Sequence, residues 1–177
     1  MAETQTDTRG SAFWRFSLRF YRLPGVAEAC IVLQDQAGVD VNLLLFLLWN
    51  ASMGRQLSGV DVEDVERQVA EWRDRVVIPL REVRRQLKSP PGLIQKDTAE
   101  TFRNRIKQVE LEAERLQQEA LFDLAQSAMP PGQLASDGQA AARHNVAAYQ
   151  EISRKQFSHA AVETLLSAFG KVGDRAP

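Results

Sequence analysis

Apolar residues recur at spacings of three and four along nearly the whole chain, the period of a helix that buries one face. Alternating apolar and polar runs bounded by Asn-Gly or Asp-Gly turns are absent, so strands are not expected. Helix one spans about residues 11–22, with Phe13, Phe16 and Phe20 on one face and Arg15, Arg19 and Arg22 on another. "LPG" (23–25) breaks it, and Pro24 suits the first turn of helix two, where its missing N–H costs nothing. Helix two runs to about residue 37 and ends at Gly38. Helix three starts at Asp40, whose carboxylate is a good cap, and ends near Gly54. It contains "DVNLLLFLLWN" (40–50), the most apolar run in the chain. A spanning helix needs about 20 mostly apolar residues, so this run is too short and belongs inside a bundle.

Helix four is long, about residues 61–88. Val62, Val65, Val69, Trp72, Val76, Leu80, Val83 and Leu87 form a seam of the kind that packs against another helix. Pro79 lies within it and predicts a kink near residues 75–79 without dividing it into two helices. "SPPG" (89–92) ends it. Helix five opens at Asp97, with Glu100 in capping-box position. Its stripe is Phe102, Ile106, Val109, Ala113, Leu116, Ala120 and Leu124. The loop "MPPGQLASDG" (129–138) leads to helix six, about 138–169. The expected fold is all-α: a single-domain bundle over 11–170 with about six helices, three short and then three long. Helices four and five form a long antiparallel hairpin. Residues 1–10 and 171–177 read as a disordered and a frayed tail.

Composition changes this picture little. The chain has 177 residues, of which 44% are apolar and 25% charged, with net charge -1, so a sizeable core is affordable. A lone cysteine, Cys30, fits a reducing compartment and reads as an inert buried thiol. The polar start "MAETQTDTRG" lacks the pattern of a secretory signal, and a cytoplasmic location is expected.

Folding the hairpin separates charge that is balanced overall. Residues 81–107 hold eight cations and three anions, a net of +5. Arg81, Arg84, Arg85 and Lys88 share one face, and with Arg103 and Lys107 they form a candidate anion patch. The bland alternative is a solvated basic end that favours the helix dipole. Further from the turn, Arg73 and Arg75 are expected to meet Glu110, Glu112 and Glu114. No exposed aromatic lies between Trp72 and Phe102, which disfavours single-stranded nucleic acid. The basic and aromatic faces of helix one suit either an anionic membrane surface or the first element of the bundle, and packing is the commoner use.

Catalytic motifs are missing. No phosphate-cradling glycine loop, HExxH, CxxC, calcium loop or GxSxG occurs. His144 and His159 each stand alone, so no catalytic residue, metal ligand or cofactor is assigned. Asp35 and Asp40 bracket the turn before helix three, where capping explains Asp40 more simply than acid–base work.

The ordered phrases "FYRLPGVAEACIVLQDQAGVDVNLLLFLLW", "WRDRVVIPLREVRRQLK" and "VELEAERLQ" resemble a family of small proteobacterial proteins classed as domain of unknown function 2390. The resemblance runs from about Phe13 to Leu124. It implies a helical, cytoplasmic, stand-alone bacterial protein and brings no reaction, ligand or catalytic residue with it. Its phrases mix apolar residues with particular polar ones, which suggests a lined pocket or a buried network that fixes helix register.

Three functions follow as expectations. The first is non-catalytic: binding another protein, or a second copy, through the helix four–five hairpin. The second is a small-molecule site for an anionic ligand, or an unrecognised enzyme, with a pocket between helices three, four and five lined by Asp40, Asn42, Trp49, Trp72, Arg73 and Glu110. The third is weak binding to nucleic-acid backbone through the basic end. Burial of Arg73, Arg81 and Glu110 around a cavity favours a ligand site, and their dispersal over the surface favours a scaffold.

Overall fold

The computed structural model describes residues 10–127, 133–135 and 137–173. Most of the two expected tails, 1–9 and 174–177, residue 128, and part of the expected loop, 129–132 and 136, lie outside them.

Ser11 starts α1 (Ala12–Tyr21) by accepting the Trp14 amide, and Phe13, Trp14, Phe16 and Phe20 are buried in the core. Gly25, at φ 80°, leads into α2 (Val26–Ala37), so Pro24 precedes that helix instead of lying in its first turn. Gly38 ends α2 in the left-handed conformation and donates its amide to the Gln34 carbonyl. The Asp40 carboxylate then accepts the Asn42 and Leu43 amides and starts α3 (Val41–Ser52).

Every residue of α3 from Asn42 to Ala51 is buried. Trp49 packs against the rings of Phe13, Phe46 and Phe122, with centroids 5.4, 5.8 and 5.6 Å away. The apolar run is thus the central helix, enclosed by α1, α2 and the later helices. After it, β1 (Arg55–Gln56) pairs antiparallel with β2 (Gln133–Leu134), a link with no sequence signal.

α4 (Gly59–Trp72) begins earlier than the apolar seam indicates, because Ser58 and Asp61 close a capping box. It passes through a π turn at Arg73–Val77 into α5 (Ile78–Gln86). The Ile78 amide donates to the Arg73 carbonyl, five residues back. Pro79 has no N–H for the regular ladder, so the interruption it predicts takes the form of this wider turn.

α6 (Lys96–Ser127) corrects two expectations. It starts at Lys96, which places Asp97 inside the first turn, and the Asp97–Glu100 capping box does not form. The expected stripe faces outward over most of its length: Phe102, Val109, Leu116 and Ala120 are exposed. The buried face is instead Ala99, Glu110, Ala113, Gln117, Gln118, Leu121 and Ala125.

The sixth helix is two helices, α7 (Gly138–Ser153) and α8 (His159–Gly173). The break falls at Arg154, at φ 53°, with no glycine or proline to signal it. Phe157, in the connection, packs edge-on to Tyr149 at 5.6 Å, and this burial fixes the turn. Three long helices therefore become one of 32 residues and several shorter ones, while the all-α bundle class holds. Asn145 on α7 pins the bundle centre: it donates to the Leu47 and Arg55 carbonyls and accepts the Leu57 amide.

Candidate functional site

From Trp72 through α5 and back along α6 to Glu110 the chain forms an arm beside the core, whereas the rest of α4 and α6 packs into it. α5 has no buried residue, and α6 before Glu110 has only Ala99. At the base of the arm lie two polar clusters and a cavity.

The first cluster is built on Asp40. One carboxylate oxygen caps α3, and the other accepts from Gln117 Nε2 at 2.7 Å. The Asp40 amide donates to the Tyr149 hydroxyl, and burial pushes the Tyr149 pKa well above its ordinary value. Arg73 lies 3.7 Å from the same carboxylate and is held at 2.7 Å by Glu66 and 2.8 Å by Asp74. Burial opposes the charge on Arg73, but these partners outweigh it and keep the group firmly cationic. Asp40 and Arg73 are thus brought together, with Asn42 beside them through Gln117.

The second cluster joins α5 to α6. Glu110, buried on α6, accepts from Arg81 at 3.1 Å and from both nitrogens of the Arg84 fork. Arg81 also reaches Glu114 at 2.7 Å. Burial acts to raise the Glu110 pKa, yet the two guanidinium groups prevail and lower it. Burial raises that of Glu114, and Arg81 offsets this only in part.

This pairing corrects the expected register, in which Arg73 and Arg75 meet Glu110, Glu112 and Glu114. Side chains on a helix lean toward its N-terminus. Arginines of α5 therefore lean toward the base of the arm, carboxylates of α6 lean toward its tip, and Arg81 and Arg84 meet Glu110. Arg73 is taken by Glu66, and Arg75 pairs with Glu71 on its own helix at 2.8 Å.

Most of the candidate anion patch is consequently neutralised within the chain. Arg85 pairs with Asp35 on α2, and Arg103 with Glu100 at 2.7 Å. Lys88 and Lys107 enter no ion pair among the described residues. The net positive charge counted between residues 81 and 107 omits Asp35, Glu110 and Glu114, which lie outside that interval.

A cavity of about 550 Å³ opens between α1, α2, α3, α5 and α6. Of the six expected pocket residues it takes Asn42 and Glu110, together with Arg81, Arg84 and Lys107 of the expected patch. Trp49 is in the aromatic core. Trp72 is partly exposed on the arm and donates its indole N–H to the Ala113 carbonyl at 3.0 Å. Gln117, Gln118, Glu66, Ser17 and Trp14 were not anticipated. The available signal was Gln117-Gln118, a polar pair next to Leu121 on a helix that must cover the core.

Burial pushes the Cys30 thiol up to about 12, as befits an inert group. Among the described residues no group of three metal-ligating side chains occurs, and no helix is long and apolar enough to cross a membrane.

A family model described as a protein of unknown function (DUF2390) matches residues 12–121. The chain belongs to this family. The DUF2390 span contains α1 to α5, the arm and every residue lining the cavity, and it stops within α6, before α7 and α8. No curated protein and no solved structure matches the chain.

Proposed function

We propose that this protein acts by protein–protein interaction, docking an amphipathic helix of a partner chain along the outer face of α6. One observation carries the reading: Phe102, Val109 and Leu116 recur every seven residues and are 49%, 47% and 53% exposed. A seven-residue apolar repeat is the seam one helix offers another. The described residues leave about half of each of these side chains uncovered, and apolar stripes of this kind on a folded surface mark interaction sites. Trp72 extends the stripe from the side, against Ala113 between Val109 and Leu116.

Charge gives the partner's orientation. Near the tip, Lys88, Lys96 and Arg105 enter no ion pair among the described residues, and Leu93 is almost fully exposed. A helix with apolar residues at the same spacing and carboxylates at the tip end fits this surface.

The test places a photo-crosslinking residue at Val109 and, as a control, at the exposed Glu63 of α4. The expected result is a cross-link from position 109 to a distinct polypeptide, none from position 63, and loss of the product when Leu116→Glu is added with helicity unchanged. No product above the control, or only a dimer of this chain, would contradict the proposal.

A further inference from the structure

We infer that the partner helix enters a groove with two walls and completes a three-helix bundle. The outer face of α6 is one wall, and the row Trp72, Leu80 and Leu87 of the α4–α5 segment is the other. This rests on docking at the outer face of α6, proposed above, and adds a second helix to that site. Phe102, Val109 and Leu116 repeat every seven residues on α6, and Leu80 and Leu87 are likewise seven apart. Trp72 stands eight residues before Leu80. On an α-helix seven residues return nearly to one face, whereas eight overshoot by about 80°. The π turn at Arg73–Val77 takes up one extra residue and cancels that overshoot. It keeps the buried Val69 and Val77, also eight apart, on the inward face, and by the same shift it puts Trp72 in the row of Leu80 and Leu87.

Both rows lie on the same side of the hairpin. Val109 is two residues from Lys107 and Leu111, Leu116 is two from Glu114 and Gln118, and all four of these neighbours line the cavity. Two residues are about 200° of helix, so the α6 row is on the side away from the cavity. Leu87 is two residues from Arg85, which pairs with Asp35 on the cavity-lining α2, so the α5 row is turned away from the cavity as well. The antiparallel register is set by Arg81 on Glu110 and by the Trp72 indole on the Ala113 carbonyl. It brings Leu87, Leu80 and Trp72 to about the heights of Phe102, Val109 and Leu116. Exposure agrees: the α6 row is about half open, Trp72 is 38% exposed, and Leu80 and Leu87 are partly buried. Such partial cover is what two packed helices give each other's flanks.

Packed helices lie about 8–10 Å apart, and two apolar rows at that spacing seat one further helix, whose apolar a and d residues enter between them. From Phe102 to Leu116 the groove runs about 21 Å at the rise of an α-helix, so the occupant supplies about four turns. The tip end also sets its charge. Lys88, Lys96 and Arg105 enter no ion pair among the described residues. A helix with carboxylates at the end that reaches the tip complements them.

Calorimetric titration of the full chain with a synthetic peptide tests the groove. The peptide is a helix of about three heptads with leucine at a and d, glutamates in its final heptad and no tryptophan, kept below the concentration at which it self-associates. One comparison peptide has the same composition with the leucines off the heptad, and another has lysines in place of those glutamates. The expected result is saturable binding of the first peptide and at least about tenfold weaker binding of the other two. Binding should also fall at least about tenfold in Val109→Glu and in Leu87→Glu, one variant per wall, with helicity unchanged and Glu63→Ala as an inert control. Trp14 and Trp49 are buried, so acrylamide quenching of the unaltered chain reports Trp72, and the bound peptide should shield it. Unchanged quenching, or binding lost in Val109→Glu and kept in Leu87→Glu, would overturn the groove while leaving docking on α6 intact. No saturable binding up to about 1 mM, equal affinity for all three peptides, or a dimer of this chain in place of the peptide complex would also overturn it, and the cross-link at position 109 then decides the docking reading separately.

Discussion

α3 and α6 are both rich in apolar residues at helical spacing, yet they use them in opposite ways. On α3 the apolar residues from Leu43 to Ala51 are buried, and the polar ones at its start, Asp40 and Asn42, are buried with hydrogen bonds made inside the protein. On α6 the residues facing the protein include Glu110, Gln117 and Gln118, while Phe102, Val109 and Leu116 face outward. Hydrophobic periodicity shows that a helix has an apolar face and leaves open what covers it. On α3 the cover is the rest of the chain. On α6 the inward side is committed to charge pairing and to the amide relay that donates from Gln118 through Asn42 and Gln117 to Asp40, and the seven-residue repeat is left about half exposed.

The comparison breaks most easily at the core. Leu47 is fully buried on α3, so Leu47→Ala removes buried apolar surface and leaves a cavity, at an expected cost of about 3–5 kcal/mol in urea denaturation. An effect below about 1 kcal/mol would show that α3 is not the centre of the bundle.

Asp40→Ala comes next, at about 2–3 kcal/mol. It removes the cap of α3 and leaves Gln117 Nε2 buried without an acceptor. Asp40→Asn should cost less, because one amide oxygen still caps the helix while the polarity of the relay is no longer enforced.

Glu110→Gln is smaller, about 1–2 kcal/mol, because both arginines it leaves behind reach solvent. Its effect depends on pH. The Glu110 pKa in the folded chain lies below its ordinary value of 4.5, so its contribution is present above 4.5 and is lost as pH falls through the lowered value. The variant is therefore expected to differ from the parent chain at neutral pH and to approach it in acid. Glu66 and Glu114 carry raised pKa values, with burial as the largest cause in each, and act with the opposite sign. Their contribution is complete below 4.5 and declines as pH rises through the raised values. An acid-independent difference between Glu110→Gln and the parent chain would exclude the carboxylate as the source.

Much of the architecture was legible in the sequence. The helical class, the position of α3, the Asp40 cap, the Gly38 terminus and the interruption near Pro79 all follow from periodicity and local chemistry. The split between α7 and α8 was not, because Arg154 adopts a left-handed conformation that only the burial of Phe157 explains. The outward direction of the α6 stripe was also hidden. It depends on Glu110, Gln117 and Gln118 finding partners on α5 and α3, and long-range pairing leaves no local mark. Of the expected pocket residues, Asn42 and Glu110 line the cavity, while Asp40 and Arg73 meet in the polar cluster beside it. Trp49 and Trp72 look alike in sequence, but one is core and the other lies on the arm.

The most direct test of the division between core and arm is the stability of the triple variant Phe102→Ser, Val109→Ser, Leu116→Ser, measured by urea denaturation beside Leu47→Ala. Residues already open to water contribute little to folding, so the triple variant should lose less than about 1 kcal/mol, most of it helix propensity. A loss as large as that of Leu47→Ala would mean that the stripe is covered within the folded chain, and the account of α6 as a free docking face would fail.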